Sequence, residues 1–315
     1  DKAVHLMDQW LRDPYIYLHT DGYYYLTGTT RYAGPGGVVG IYAWKSEDLV
    51  DWELLPRLWR FEDSSWMQEI ESEHVKKNGP LVWAPEIYFI DGRWVITHTS
   101  NGKAANLMVN ESTELKAPFI EPMGMEFGSR HDPAFFIEDE TIWLVWGCAK
   151  IAPLKRDFSG FSGEEVAIGP SNRKMGHEGS FIRKIGGKYV LFGTAWSTDT
   201  MRHGTYNLYY CTSDNLTGPY SERRFAGRFL GHGTPFQDKA GRWWCTAFYN
   251  ANVPTIPDDQ AGAALSDTAY TLNPQGSTIV PLDVRVVDGD VFIRAKDPRY
   301  ASPGGEEVQE FPELN

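Results

Sequence analysis

The stretch His19-Thr20-Asp21-Gly22-Tyr23-Tyr24-Tyr25-Leu26 reads as an acidic, glycine-containing turn that opens into a short strand of aromatic residues. The same arrangement recurs four times: in Ile90-Asp91-Gly92-Arg93-Trp94-Val95-Ile96, in Glu138-Asp139-Glu140-Thr141-Ile142-Trp143-Leu144, in Ile185-Gly186-Gly187-Lys188-Tyr189-Val190-Leu191 and in Asp238-Lys239-Ala240-Gly241-Arg242-Trp243-Trp244-Cys245. No long helical period competes with these runs. With Tyr24, Trp94, Trp143, Tyr189 and Trp243 as anchors, the spacings are 70, 49, 46 and 54 residues. A period of about 50 residues carried by short strands is the signature of a β-propeller. Five repeats predict an all-β fold, a five-bladed β-propeller forming a single domain over residues 1–315. Blades are expected over approximately 11–55, 80–125, 130–170, 176–222 and 230–295, with a tail at 298–315 that frays.

Composition narrows the function. The 315 residues carry 42 Asp and Glu against 30 Lys and Arg, a net charge of −12, which argues against a nucleic-acid partner because phosphate binding needs basic surface. No run approaches the roughly 18 apolar residues that span a bilayer, so no membrane partner is expected. The first residues, Asp1-Lys2-Ala3-Val4, lack a basic-then-apolar leader, which reads as a mature secreted or periplasmic chain with a cytoplasmic location left open. Cys148, Cys211 and Cys245 show no metal-type spacing and are expected to be buried, unreactive thiols. Aromatic residues reach 14%, a bias that suits both sheet cores and stacking on sugar rings.

Eleven residues before each anchor stand Asp13, Trp83, Asp132, Glu178 and His232, each followed within two residues by Pro or Gly. In a propeller the first strand of each blade lines the axis, so these positions are expected to converge. Like charges gathered in one place are electrostatically unfavourable, and that points to chemistry rather than to turn formation. Two carboxylates flanking a sugar-sized space can hydrolyse a glycosidic bond, one as acid and one as base, while a third holds the acid's proton affinity up. Asp13 is the expected base, Glu178 the acid and Asp132 the modulator. Blades one and four are nearly opposite, which predicts inversion and a carboxyl separation of about 6.5–9.5 Å.

The residues that carry this reading resemble a known family. They are Arg12-Asp13-Pro14, Gly40-Ile41-Tyr42, Ser46-Glu47-Asp48-Leu49-Val50-Asp51-Trp52, Trp83-Ala84-Pro85-Glu86-Ile87, His131-Asp132-Pro133, Glu178-Gly179 and Gly231-His232-Gly233. In this order they resemble glycoside hydrolase family 43, which shares a clan with families 32, 68 and 117. The resemblance runs from about Leu11 to Tyr249. It implies a five-bladed propeller acting on arabinose-, xylose- or galactose-containing polysaccharides, with base, modulator and acid at Asp13, Asp132 and Glu178. It also implies that His232 lies under the site and coordinates an axial calcium (Ca2+); the other reading of His232 is a hydrogen bond to the carboxylates.

Further candidates keep two readings each. Trp83 is a stacking platform or a plug, and Glu86 binds sugar hydroxyls or closes a turn. His131 and His177 pack between blades, or one of them donates the proton as in the agar-oligosaccharide hydrolases of family 117. Arg294 contacts substrate or a carboxylate, or is ordinary surface charge. Trp146 and Trp196 are expected on loops away from the site. An insertion around Trp59 to Gly79 is expected to cover one side of the pocket. The connection from Lys150 to Lys174 carries a net charge of +2, which suits an anionic glycan or a solvated loop. Long rim loops predict exo-acting release of terminal arabinofuranosyl, xylosyl or galactosyl units from plant or algal oligosaccharides or polysaccharides. Two rivals are a non-catalytic glycan-binding propeller and a retaining fructosidase, whose first motif Arg12-Asp13-Pro14 does not match. Asn110 and Asn215 open glycosylation sequons compatible with secretion.

Overall fold

Two-residue turns between strands need two successive left-handed residues, because only then does the turn's twist match that of the strands. The chain supplies them at Asp91-Gly92 (φ 51° and 75°), Asp139-Glu140 (48° and 66°), Gly186-Gly187 (56° and 81°) and Asp288-Gly289 (50° and 78°). The computed structural model describes all residues except 31–33, 202–203, 249–276, 304–306, 308–310 and 313–315.

Strand β1 is Val4–Met7. The first sheet runs β2 (Arg12–Leu18), β3 (Tyr24–Thr29), β4 (Trp44–Ser46), β5 (Glu53–Leu54), and the second β6 (Val82–Ile90), β7 (Arg93–Ser100), β8 (Ala105–Asn110), β9 (Phe119–Ile120). The third runs β10 (Ala134–Glu138), β11 (Thr141–Trp146), β12 (Lys150–Leu154), β13 (Val166–Ala167), and the fourth β14 (Glu178–Ile185), β15 (Lys188–Trp196), β16 (Tyr206–Ser213), β17 (Arg224–Gly227). The fifth contains β18 (Pro235–Gln237), β19 (Trp243–Ala247) and β20 (Ser277–Val287), with β21 (Asp290–Ala295) on the far half of β20. Strand β1 completes it by pairing Val4 with Ile279, so residues from both ends of the chain share one sheet. These five successive sheets are the blades of a five-bladed β-propeller, as the repeat predicts.

The chain divides into two compact units. One holds Gln9–Leu144 and Ala152–Glu164, the other Asp1–Asp8, Val145–Ile151 and Glu165–Asn315. The first unit buries Leu26, Ile87, Trp94, Ile96, Leu107 and Phe127, and the second buries Val190, Phe192, Leu208, Tyr209, Tyr210 and Phe225. Removing such apolar surface from water is the main stabilising term, about 25 cal/mol per Å².

The insertion around residues 58–79 is more deeply anchored than a solvated loop. Leu58, Trp59 and Met67 are buried in it, and it ends in helix α1 (Glu73–Asn78), capped by the Ser72 hydroxyl accepting from Val75 N. Glu121 clasps it, accepting from Ser64 Oγ (2.6 Å), Ser65 N (2.6 Å) and Ser65 Oγ (2.8 Å), and from Asn106 Nδ2 (2.8 Å) in β8.

Other expectations are revised. Cys148 is exposed, whereas Cys211 and Cys245 are buried as expected. The connection from Lys150 to Lys174 contains two short strands, and three of its five basic groups are paired: Lys150 with Glu165 at 3.1 Å, Arg156 with Asp91 at 2.5 Å and Arg173 with Glu307 at 3.1 Å. Parts of the tail are described. Helix α2 (Pro298–Ala301) is capped by Asp297, the Glu307 carboxylate lies 2.9 Å from buried Arg223, and Phe311 sits under the Arg294 guanidinium at 4.0 Å.

Candidate active site

The first strands of blades one, two and four share an irregularity that positions the candidate acids. Arg12 pairs with Thr29 but Tyr15 with Thr27; Trp83 pairs with Thr99 but Glu86 with Thr97; Glu178 pairs with Thr194 but Phe181 with Phe192. Each strand therefore holds one extra residue, a β-bulge of the kind that re-aims side chains beside active sites. The bend is taken up by a left-handed residue: Asp13 (φ 51°), Ala84 (45°) and Gly179 (69°), with Asp132 (50°) in the same conformation just before β10. Aspartate tolerates this geometry better than most residues because its short side chain bonds locally.

This register corrects the offset count. Asp13, Ala84, Asp132 and Gly179 correspond to one another, whereas Glu178 corresponds to Arg12, Trp83 and His131. The cause is the first hairpin, where Leu18 pairs with Tyr24 across five residues while Phe89 pairs with Trp94 across four. The acid candidate thus precedes the left-handed position that the two aspartates occupy, and a carboxylate reaches it through the longer glutamate side chain.

In the first unit a threonine relay holds the aspartates. Thr29 Oγ1 donates to Asp13 Oδ2 at 2.7 Å and accepts from Ala84 N at 2.7 Å. Thr99 Oγ1 accepts from Asp132 N at 2.9 Å. Two strand positions earlier, Thr27 and Thr97 donate to the carbonyls of Pro85 (2.6 Å) and Pro133 (2.8 Å). The second strands of blades one and two thereby hold the entry segment of the next blade. Asp132 is buried, and its Oδ2 lies 3.2 Å from His131 Nε2, whose side chain is 36% exposed. His131 is therefore placed to exchange a proton with Asp132 rather than only to pack. Half-buried Trp83 meets the His74 ring of α1 edge-on at 6.1 Å, so the insertion does reach the platform residue. Glu86 accepts the hydroxyl of Tyr88, a contact along its own strand.

In the second unit Glu178 Oε1 accepts from Tyr206 Oη at 2.7 Å. Thr194 Oγ1 lies 3.0 Å from Tyr206 Oη and 2.9 Å from the Glu178 carbonyl. Trp196 is buried and stacks on Tyr206, with centroids 4.7 Å apart at 18°. His177 N donates to Thr194 O at 2.6 Å, and burial holds the His177 imidazole below its usual proton affinity although Glu178 pulls the other way.

His232 is buried against Gly179. Calcium takes six to eight oxygen ligands, and among the described residues no group of three or more donor side chains includes His232. Arg294 faces the Asp283 carboxylate across the β20–β21 hairpin and covers Phe311.

Tyr206 and the three threonines escape the sequence reading, although one signal was present. Thr29, Thr99 and Thr194 each follow their anchor by five residues.

The chain is 22% identical over 254 residues to the extracellular endo-alpha-(1->5)-L-arabinanase 1 of Bacillus subtilis, covering 75% of each. It is 33% identical over 149 residues to an extracellular exo-alpha-(1->5)-L-arabinofuranosidase of Streptomyces avermitilis, covering 46% of this chain and 28% of that enzyme. Its fold matches the crystal structure of an endo-1,4-beta-xylanase from Bacteroides thetaiotaomicron with a TM-score of 0.66 at 19% identity, over 96% of this chain and 99% of that one. It matches the GH43 protein BlXynB of Bacillus licheniformis with a TM-score of 0.64 at 20% identity, over 97% and 59%. The sequence model of Glycosyl hydrolases family 43 matches residues 6–275, and the chain belongs to that family of glycoside hydrolases.

Proposed function

We propose that this glycoside hydrolase is an inverting, exo-acting enzyme that releases terminal L-arabinofuranosyl units from arabinan-type oligosaccharides outside the cell. Both sequence relatives bear names that place them outside the cell and acting on α-linked L-arabinose, which supports this choice over xylosyl or galactosyl units. The exo reading is supported by the anchored insertion whose His74 meets Trp83.

The observation that supports the catalytic assignment is the shared left-handed conformation of Asp13 and Asp132, the first bonded through its carboxylate to Thr29 and the second through its backbone N–H to Thr99, with Glu178 one position earlier and a phenol on its carboxylate. In the proposed reaction Asp13 takes a proton from water, and the water oxygen bonds to the anomeric carbon from the face opposite the leaving group. The glycosidic C–O bond breaks as its electron pair goes to the leaving oxygen, which receives the Glu178 proton. Asp132 raises the proton affinity of Glu178 by like-charge repulsion. A second reading, with a histidine as the acid, draws on His131, which occupies in its blade the position Glu178 occupies in its own.

Hydrolysis of a panel of aryl glycosides and arabino-oligosaccharides by wild type, Asp13→Asn, Glu178→Gln and His131→Ala, with product anomers followed by proton NMR, tests both. Turnover of arabinofuranosides with inversion, lost in the first two variants, supports the proposal. Retained activity in Glu178→Gln with loss in His131→Ala favours the histidine. Internal cleavage of long chains in place of arabinose release overturns the exo reading.

A further inference from the structure

We propose that Tyr206 is a positioning residue for Glu178, fixing one carboxyl oxygen so that the transferable proton resides on the other; this rests on Glu178 being the acid. Tyr206 Oη and Glu178 Oε1 are 2.7 Å apart, and Thr194 Oγ1 is 3.0 Å from the same phenol oxygen. Each hydroxyl has one proton to give. The single Thr194 hydroxyl proton goes to the Glu178 carbonyl 2.9 Å away, which can only accept, while Tyr206 donates to Oε1, and a proton on the carboxyl is then directed to Oε2. From Oε2 it passes to the glycosidic oxygen as the C–O bond breaks, leaving a carboxylate whose Oε1 already accepts a hydrogen bond. Nothing in the chain of hydroxyls has to turn over during the step, and this is the preorganisation that makes proton transfer efficient.

The phenol is built to stay in place. Tyr206 is 3% exposed, with Trp196 stacked on one face. Gly231 lies against the ring so closely that a β-carbon there would stand 2.8 Å from Cγ and 2.9 Å from Cδ1. Tyr206 also pairs directly with Trp196 between β16 and β15. A ring that only filled space would need no hydroxyl, since phenylalanine packs equally well, yet this hydroxyl is aimed at the carboxyl of Glu178.

The test compares Tyr206→Phe, which keeps the ring, on two aryl arabinofuranosides. The dinitrophenyl glycoside departs without protonation, whereas the unsubstituted phenyl glycoside needs the acid. The expected result is a loss of kcat of about 10-fold or more on the phenyl glycoside, little change in KM, and a change within about 2-fold on the dinitrophenyl glycoside, because displacing an acid without removing it forfeits part of its contribution. Thr194→Val should show the same selectivity more weakly. Turnover of the dinitrophenyl glycoside also reports that each variant is folded. Equal losses on both substrates, or no loss on either, overturn the proposal. Glu178→Gln, run beside them, separates the two readings. If it shows strong leaving-group selectivity and Tyr206→Phe does not, the positioning role fails alone; if Glu178→Gln lacks selectivity, the acid assignment fails and the positioning role with it.

Discussion

Gly179 lies against the His232 imidazole so closely that a β-carbon on Gly179 would stand 2.8 Å from Cδ2 and 3.0 Å from Nε2. The contact explains why the residue after the acid is glycine: its φ of 69° turns the bulge, and its bare Cα lets the histidine ring approach. Gly179→Ala should cost about 1–3 kcal/mol from strain alone and displace Glu178, lowering kcat together with the melting temperature. Thermal unfolding and steady-state kinetics on the same preparation check this, and an unchanged melting temperature would contradict the close approach.

Thr29 serves two groups at once, Asp13 Oδ2 and Ala84 N. Thr29→Val keeps the shape and removes both bonds. It should destabilise by about 1–3 kcal/mol, because the buried amide of Ala84 loses its acceptor. It should also lower kcat by about 10-fold, because the base loses its orientation. Thr29→Ser should restore both, and denaturant unfolding with kinetics on all three proteins reads the result.

His98 sits between Thr97 and Thr99 but is fully buried, with its ring 4.7 Å from that of Trp59. Burial lowers its pKa to about 4 from the ordinary imidazole value of 6.5. Between those values the unfolded chain binds the proton and the folded chain does not, so stability falls as pH drops through 6.5 and the loss is complete below about 4. The full difference is about 3 kcal/mol. Urea unfolding at pH 7.5 and pH 5 should show the fall, and His98→Gln should flatten it.

Glu121 joins the insertion to β8, accepting three hydrogen bonds from Ser64 and Ser65 and one from Asn106. Glu121→Ala should release residues 58–79 to limited proteolysis and raise KM for oligosaccharides more than it lowers kcat, since His74 and its contact with Trp83 depend on that segment. Removing one acceptor of several buried or half-buried donors is expected to destabilise by about 2–3 kcal/mol.

The blades were legible in the sequence because their signals are local. Pairs such as Asp91-Gly92 and Gly186-Gly187 state the turn by their own backbone preferences, and the aromatic runs beside them state the strands. Asp13 and Asp132 were legible for the same reason, each marked by the proline that follows. Family membership, read from the order of those motifs, is shown by the match over residues 6–275.

Register was not legible. Counting residues from an anchor assumes equal hairpins, but register is set by which backbone groups pair. One residue more in the first hairpin puts Glu178 one position before the equivalent of Asp13. The partners of the site were equally hidden. Tyr206 reaches Glu178 from 28 positions away, and Glu121 reaches Ser64 from 57. Short-range preferences of turn and strand thus determined the five blades and the two aspartates. Hydrogen bonds between distant segments, which form only once the sheets have paired, decided how the acid is aimed.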